Sequence, residues 1–262
     1  MLTLLARTWR VALTPAASGV HNMALDEALL ARARRTGEGV LRVYAWSRPT
    51  LSIGRHQSAH DAVDPARARE LGVDVVRRLT GGRALLHHRE VTYSVTVPLE
   101  KSESVREWYR AINALLLAGL RSLGIEATTS AGSGRLPPPA AAPCFELPAE
   151  GEIVVNGRKL VGSALVRDRG ALLQHGSILI DDDQPLVTRL ARVPGPAPQP
   201  AATLRALLGR APDMNEVAQA LVGAWRSLAD PSASDLPFDA DLEREVAKAT
   251  ERYADDAWTW RR

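Results

Sequence analysis

The chain has 262 residues, 45% hydrophobic and 24% charged, an ordinary globular composition that suits one large domain or one domain with a small appendage. Its formal net charge of +3 comes from arginines spread along the chain, with pairs at Arg34-Arg35, Arg77-Arg78 and Arg261-Arg262, which argues against a nucleic-acid binder carrying a massed basic patch. The single cysteine excludes an internal disulfide, and no stretch approaches the roughly 18 to 20 apolar residues needed to cross a bilayer, so no membrane role and a reducing, cytoplasmic setting are expected.

Trp9 to Leu13 reads as an opening strand. His21 to Arg35 places Leu25, Ala28 and Leu29 at helical spacing, with Asn22 as N-cap and Gly37 ending the helix. Val40 to Trp46 is β-branched and aromatic, hence a strand; Pro49 breaks it and Leu51 to Gly54 resumes a short one. Asp64 before Pro65 opens a brief helix to Leu71. Val73 to Arg78 is a strand, Thr80-Gly81-Gly82 a sharp turn, and Ala84 to Leu86 with Val91 to Val97 an antiparallel hairpin around His87-His88-Arg89. Ser104 to Leu123 is the longest helix signal, ended by Gly124. Ala131 to Ala142 is glycine- and proline-rich and reads as a loop leading into Cys144.

Glu152 to Val155 and Leu160 to Val166 flank Asn156-Gly157, the preferred pair for a two-residue type I′ hairpin turn. Ala171 to Ile180 supplies another strand, Pro194 to Pro200 a surface loop, and helices follow near Thr203–Leu208, Asn215–Leu228 and Asp239–Tyr253. Strands pairing with sequence neighbours, flanked by helices, indicate an α+β fold with a mixed, mostly antiparallel sheet. The expected division is a catalytic domain over 1–200 and a helical segment over 201–262 packed on it.

Three groups of residues could carry chemistry. The first is the run Arg78, Thr80, Gly81, Gly82, Arg83 and His87, where adjacent glycines let a backbone approach a ligand and offer N–H groups to an oxygen. A plain hairpin turn with basic neighbours is an equal reading. The second is Cys144 with Lys159. The chain has three lysines, and Lys159 alone of them lies between apolar strands, where an amine can shift its pKa as arginine cannot. A nearby ammonium raises the thiolate fraction of a cysteine and so makes a thioester-forming nucleophile. Against this, a lone cysteine is commonly a small buried hydrophobe, and Lys159 could be a solvated turn residue. The third is Gly162-Ser163-Ala164 with His175-Gly176-Ser177, small residues on neighbouring strands that leave room for a linear apolar ligand or simply pack closely. His175 could be a structural histidine, and His88 reads as polar surface. His56 and His60 have helical i, i+4 spacing but no third ligand, so no metal site is expected.

NMALDEALL from Asn22, YAWSRPTLSIGRHQ from Tyr44, RRLTGGRALLHHREVTYSVTVP from Arg77 and GRKLVGSALVRDRGALLQHGSILI from Gly157, in that order, resemble the lipoate–biotin protein ligase and octanoyltransferase family. The resemblance implies a helix-flanked sheet like that of class II aminoacyl-tRNA synthetases. It implies an acyl pocket formed by Thr80–His87, Gly162–Ala164 and His175–Ser177, with Lys159 at the acyl carbonyl. Cys144-Phe145, Glu152 and Lys159 look most like the octanoyltransferases that carry a cysteine ahead of that lysine. Leu165 departs from the family, where glutamine often follows the Gly-Ser-Ala run.

The implied partners are an octanoyl-acyl carrier protein as donor and a lipoyl domain as acceptor, of the glycine cleavage H protein or a 2-oxoacid dehydrogenase E2. The enzyme is expected to be a monomer, with no cofactor. ATP and magnesium enter only under the alternative of a lipoate–protein ligase, which needs no cysteine. Two further alternatives are an amidotransferase between lipoyl domains and a non-catalytic acyl-binding protein.

Overall fold

The computed structural model of the chain describes residues 8–131, 150–192 and 198–261. Its strands are β1 (Trp9–Leu13), β2 (Gly39–Tyr44), β3 (Thr50–Ile53), β4 (Asp74–Arg77), β5 (Leu85–His87), β6 (Glu90–Pro98), β7 (Thr128–Thr129), β8 (Ile153–Val155), β9 (Arg158–Asp168), β10 (Ala171–Leu179) and β11 (Ser234–Asp235). The helices are α1 (Gly19–Thr36), α2 (Ala59–Ala62), α3 (Pro65–Glu70), α4 (Val105–Ser122), α5 (Pro185–Leu190), α6 (Leu204–Leu208), α7 (Met214–Leu228), α8 (Ala240–Ala254) and α9 (Asp256–Thr259).

Eight strands form one mixed sheet in the order β11-β1-β2-β6-β10-β9-β8-β7. The β1 pairings with β2 and β11 are parallel, and the rest are antiparallel. The α+β expectation holds. On one face Tyr93, Val95 and Val161 pack with Ile112 and Leu116 of α4 and with Leu221 and Trp225 of α7. Trp9 of β1 meets Trp225 edge-on at 5.3 Å between ring centroids. Ala202 and Leu204 enter the same core, so residues beyond 200 share it. On the other face Leu25, Ala28 and Leu29 of α1 lie against Val40, with Leu242 of α8 packed behind.

Local signals set most ends. Asp64 accepts the Ala66 and Arg67 N–H groups ahead of Pro65, and the Ser104 hydroxyl caps α4. Gly37 closes α1 in the left-handed conformation at φ 74°. The N-cap of α1 is Ser18, not Asn22, which lies inside the helix. There its amide donates to the Ala17 and Ala45 carbonyls, holding α1 to the chain after β2.

The expected hairpin of Ala84–Leu86 with Val91–Val97 does not form. β5 pairs antiparallel with β3, and β4 pairs parallel on the other side of β3, giving a separate three-stranded sheet. The reason is length: β6 has nine residues and finds a partner for every one of them on β10, whereas three-residue β5 could satisfy only a fraction of that ladder. The turn at Thr80–Gly82 is therefore a crossover past β3 and not a hairpin turn. No helix among the described residues is long and apolar enough to cross a membrane.

Candidate active site

The Arg77–His87 stretch lies between the two sheets, and its turn is held through its carbonyls. Arg55 N–H donates to the Thr80 carbonyl at 2.8 Å. The buried Arg78 guanidinium donates to the carbonyls of Gly81 (2.8 Å), Arg83 (2.7 Å) and Ser52 (2.9 Å) and to the Ser52 hydroxyl (3.0 Å). It thus shapes the turn from within. Gly82 adopts φ 95°, and its carbonyl lies so close to Gly54 that a Cβ there would sit 1.9 Å from it. With the carbonyls turned inward, neither the Gly81 nor the Gly82 N–H is taken up by another described residue. Arg77, fully buried, donates to the carbonyls of Gly54, Gln57, Thr259 and Arg261, so the C-terminal segment buttresses the same loop. Burial, with the nearby Arg261 and Arg78 charges, lowers its pKa to about 10, still charged at neutral pH.

Two hydroxyl–imidazole–carboxylate chains flank this turn. In one, Thr80 Oγ1 lies 2.7 Å from His175 Nε2, and His175 Nδ1 lies 3.1 Å from Asp26 Oδ2. Asp26, on the buried face of α1, also accepts from Arg42 (2.8 Å), Tyr44 (3.0 Å) and Ser94 (2.8 Å). Burial by itself would raise the Asp26 carboxyl, but the Arg42 charge and the His175 and Ser94 hydrogen bonds outweigh it and hold the group below its usual range. Burial pushes the His175 imidazole down, with Asp26 pulling the other way, so the ring is neutral at pH 7. In the second chain, Ser52 Oγ lies 2.8 Å from His87 Nε2, and His87 Nδ1 lies 2.8 Å from Glu90. Trp46 stacks on the His87 ring at 4.0 Å. His88, by contrast, is exposed, as are His56 and His60.

The two runs of small residues are register partners, His175 opposite Ala164, Gly176 opposite Ser163 and Ser177 opposite Gly162. Strand alternation sends His175, Ser177, Gly162 and Ala164 toward one face and Gly176 and Ser163 toward the other. On the second face the missing Gly176 side chain is filled: a Cβ would meet Tyr93 at 2.7 Å and the Ser163 hydroxyl at 2.9 Å. Ser163 Oγ lies 2.7 Å from the Tyr93 hydroxyl, which accepts from Gln174 at 3.0 Å, and Gln174 donates in turn to Asn113 of α4. Gly176 therefore serves close packing. On the first face Ser177 Oγ is buried without a hydrogen-bond partner among the described residues.

Lys159 is not a solvated turn residue. It is 2% exposed, and its Nζ lies 2.6 Å from Glu152 Oε1, a pair enclosed between β8 and β9. The hairpin expected around it forms, with Asn156 at φ 49° and Gly157 at φ 74°. The β8–β9 register shifts here, with Val154 opposite Lys159 but Ile153 opposite Val161, so Lys159 leaves the alternation of Val161 and Ser163 and belongs with the face of Gly162, Ala164 and His175. Next to the pair, Ser130 N–H donates to the Glu152 carbonyl and Gly151 N–H to the Ser130 carbonyl, both at 2.8 Å. Asn113 anchors the Gly151 carbonyl at 2.8 Å. The stretch from 132 to 149, which carries Cys144, lies outside the described residues, but the residues on either side of it are tied together here.

The sequence pointed to Arg78, Thr80, His87 and His175, and missed Asp26 and Arg42 behind His175 and Ser52 and Glu90 beside His87. The available signal was an aspartate among Leu25, Ala28 and Leu29 on the face of α1 that meets the sheet, and an arginine within the apolar run of β2. Among the described residues no group of three or more His, Cys, Asp or Glu side chains could hold a metal.

Residues 18–226 match the family described as Lipoyl protein ligase A/B catalytic domain. A protein of Kyrpidia tusciae named Octanoyltransferase LipM is 39% identical over 98% of this chain and 100% of its own length. One of the same name from Carboxydothermus hydrogenoformans is 47% identical over 71% of this chain and 69% of its own. Among solved structures, a lipoate-protein ligase A bound with ATP superposes with TM-score 0.79 at 22% identity, covering 97% of this chain and 98% of that one, a likeness of fold alone.

Proposed function

Because the chain belongs to the Lipoyl protein ligase A/B catalytic domain family, we propose that it is an octanoyltransferase of lipoate biosynthesis working through a thioester on Cys144. In the first half-reaction the Cys144 thiolate attacks an octanoyl thioester on an acyl carrier protein. The Cys144 S–C bond forms, the carrier S–C bond breaks, and the carrier leaves as a thiolate that takes up the proton Cys144 gave up on ionising. In the second, a lysine amine of a lipoyl domain attacks that thioester: the amide N–C bond forms, the Cys144 S–C bond breaks, and the amine's proton returns to the sulfur by way of Lys159. No nucleotide is consumed. The Gly81 and Gly82 amides hold the acyl carbonyl. The floor of Gly162, Ala164 and Ser177 takes the chain, at roughly 0.8 kcal/mol of recognition per buried methylene.

The observation that carries this reading is the buried Lys159–Glu152 pair at the root of the segment bearing the single cysteine. Cys144 stands six residues before Glu150, and an extended chain spans at most about 3.3–3.6 Å per residue, so its Cα can lie no further than roughly 22 Å from that of Glu150. An ammonium kept in an enclosed site is the partner a thiolate needs.

The test is incubation with octanoyl-acyl carrier protein and a lipoyl domain without ATP. Wild type gains one octanoyl mass on Cys144 and octanoylates the domain, and Cys144→Ser does neither. Transfer that survives in Cys144→Ser, or that requires ATP, returns the protein to the ligase chemistry of its structural neighbours.

A further inference from the structure

The turn that carries Gly81 and Gly82 is fixed from the main-chain side by Arg55, Arg78 and Gly54, all acting on its carbonyls. The Thr80 side chain is held separately, from the large sheet. A neutral imidazole has one donor nitrogen and one acceptor. Asp26 is ionised, so it can only accept, which obliges His175 to carry its proton on Nδ1. Nε2 is then the acceptor, and the Thr80 hydroxyl must donate to it at 2.7 Å. Asp26 is itself fixed by the register, since Arg42 and Ser94 stand opposite one another on β2 and β6 and Ser94 stands opposite His175 on β10. Each link has one donor orientation. The charged and titratable groups around the ring are Asp26, Arg42 and Tyr44 from α1 and β2, Arg78 from the segment after β4, and His87 from β5.

We propose that Asp26 is a positioning residue for acyl transfer, its carboxylate acting through His175 to lock Thr80 and so aim the Gly81 and Gly82 amides at the acyl carbonyl. This rests on the octanoyl-transfer reading. In this arrangement Asp26 touches no reacting atom, and its loss acts on turnover by releasing the turn.

The experiment measures octanoyl transfer by Thr80→Val, Thr80→Ser, Asp26→Asn and the double variant Thr80→Val/Asp26→Asn, with 15N NMR of the His175 ring in wild type. Thr80→Val and Asp26→Asn should each lower kcat by about 10- to 100-fold, the scale set by misplacing a reacting group by an ångström, with KM for the carrier little changed. Thr80→Ser recovers most of the loss, and the double variant is no slower than the slower single one, because both break one chain. Losses that multiply, or a Thr80→Val enzyme with wild-type kcat, overturn the proposal. Should Asp26→Asn fail to fold, the Thr80 pair and the NMR decide: a His175 ring protonated on Nδ1 supports the chain, and one protonated on Nε2 refutes it. The ring signal needs no substrate. Failure here is thereby separated from failure of the octanoyl reading, which wild type would reveal by forming no acyl-enzyme.

Discussion

Replacing Gly54 by alanine should disable the enzyme without replacing any residue assigned to chemistry. The added Cβ would lie 1.9 Å from the Gly82 carbonyl oxygen and 2.9 Å from its carbonyl carbon, both backbone atoms that no rotamer change can move aside. Ordinary contact begins at 3.4 Å, so the turn must retreat by about 1.5 Å. Forcing a methyl into such a contact costs about 1–3 kcal/mol, which at roughly 2–4 °C per kcal/mol lowers Tm by about 2 to 12 °C. Displacing the Gly81–Gly82 amides by more than an ångström should cost about 100-fold in turnover. Gly81→Ala is the control for stability, since nothing lies within 4 Å of its added Cβ and its φ is not in the left-handed region. The assay is calorimetry with single-turnover octanoyl transfer on both variants. A Gly54→Ala enzyme that matches wild type in Tm and rate would show that the turn's position is not what the Gly54 contact fixes.

Glu152→Gln leaves the Lys159 ammonium enclosed without its carboxylate and should cost about 3–5 kcal/mol, seen in denaturant unfolding; Lys159→Met should cost a similar amount, and the double variant less than the sum, whereas strict additivity would mean that the pair does not interact. Asp230 accepts from the Trp9 and Ser232 N–H groups and the Ser232 hydroxyl, and the Ser232 hydrogen bond leads in holding its carboxyl below the usual 3.8. A depressed folded value stabilises above the unfolded one and is lost as pH falls through the folded value. Wild type should therefore lose more stability than Asp230→Asn on going from pH 4 toward pH 2, and parallel profiles would refute the assignment.

The resemblance in the sequence and the fold agree, and the reason lies in which signals are local. Asn156-Gly157 specifies its turn because both residues must take positive φ, whatever surrounds them. Asp64, Ser104 and Gly37 end their helices by bonds within a few residues of themselves. The spacing in α1 and α4 marks the faces that water must leave, and the strand signals between them pair with sequence neighbours, so the α+β architecture was legible before any partner was known. The rarity of lysine also singled out Lys159, which the fold encloses beside Glu152.

Pairings across long separations were not legible. A three-residue strand such as β5 fits a neighbouring hairpin as readily as the edge of β3, and only competition for the full length of β6 decides between them. Arg77 gave no sign that it would gather carbonyls from Thr259 and Arg261, because an arginine's five donors name no partner in advance. Asp26 takes its place only in the fold, where Arg42, Tyr44, Ser94 and His175 converge on it from three strands. Composition and order of the chain decided which segments become strands, helices and turns, since those depend on neighbours along the backbone. Tertiary structure alone decided which charges are buried together, since an ionised group leaves water only where distant residues arrive to satisfy it.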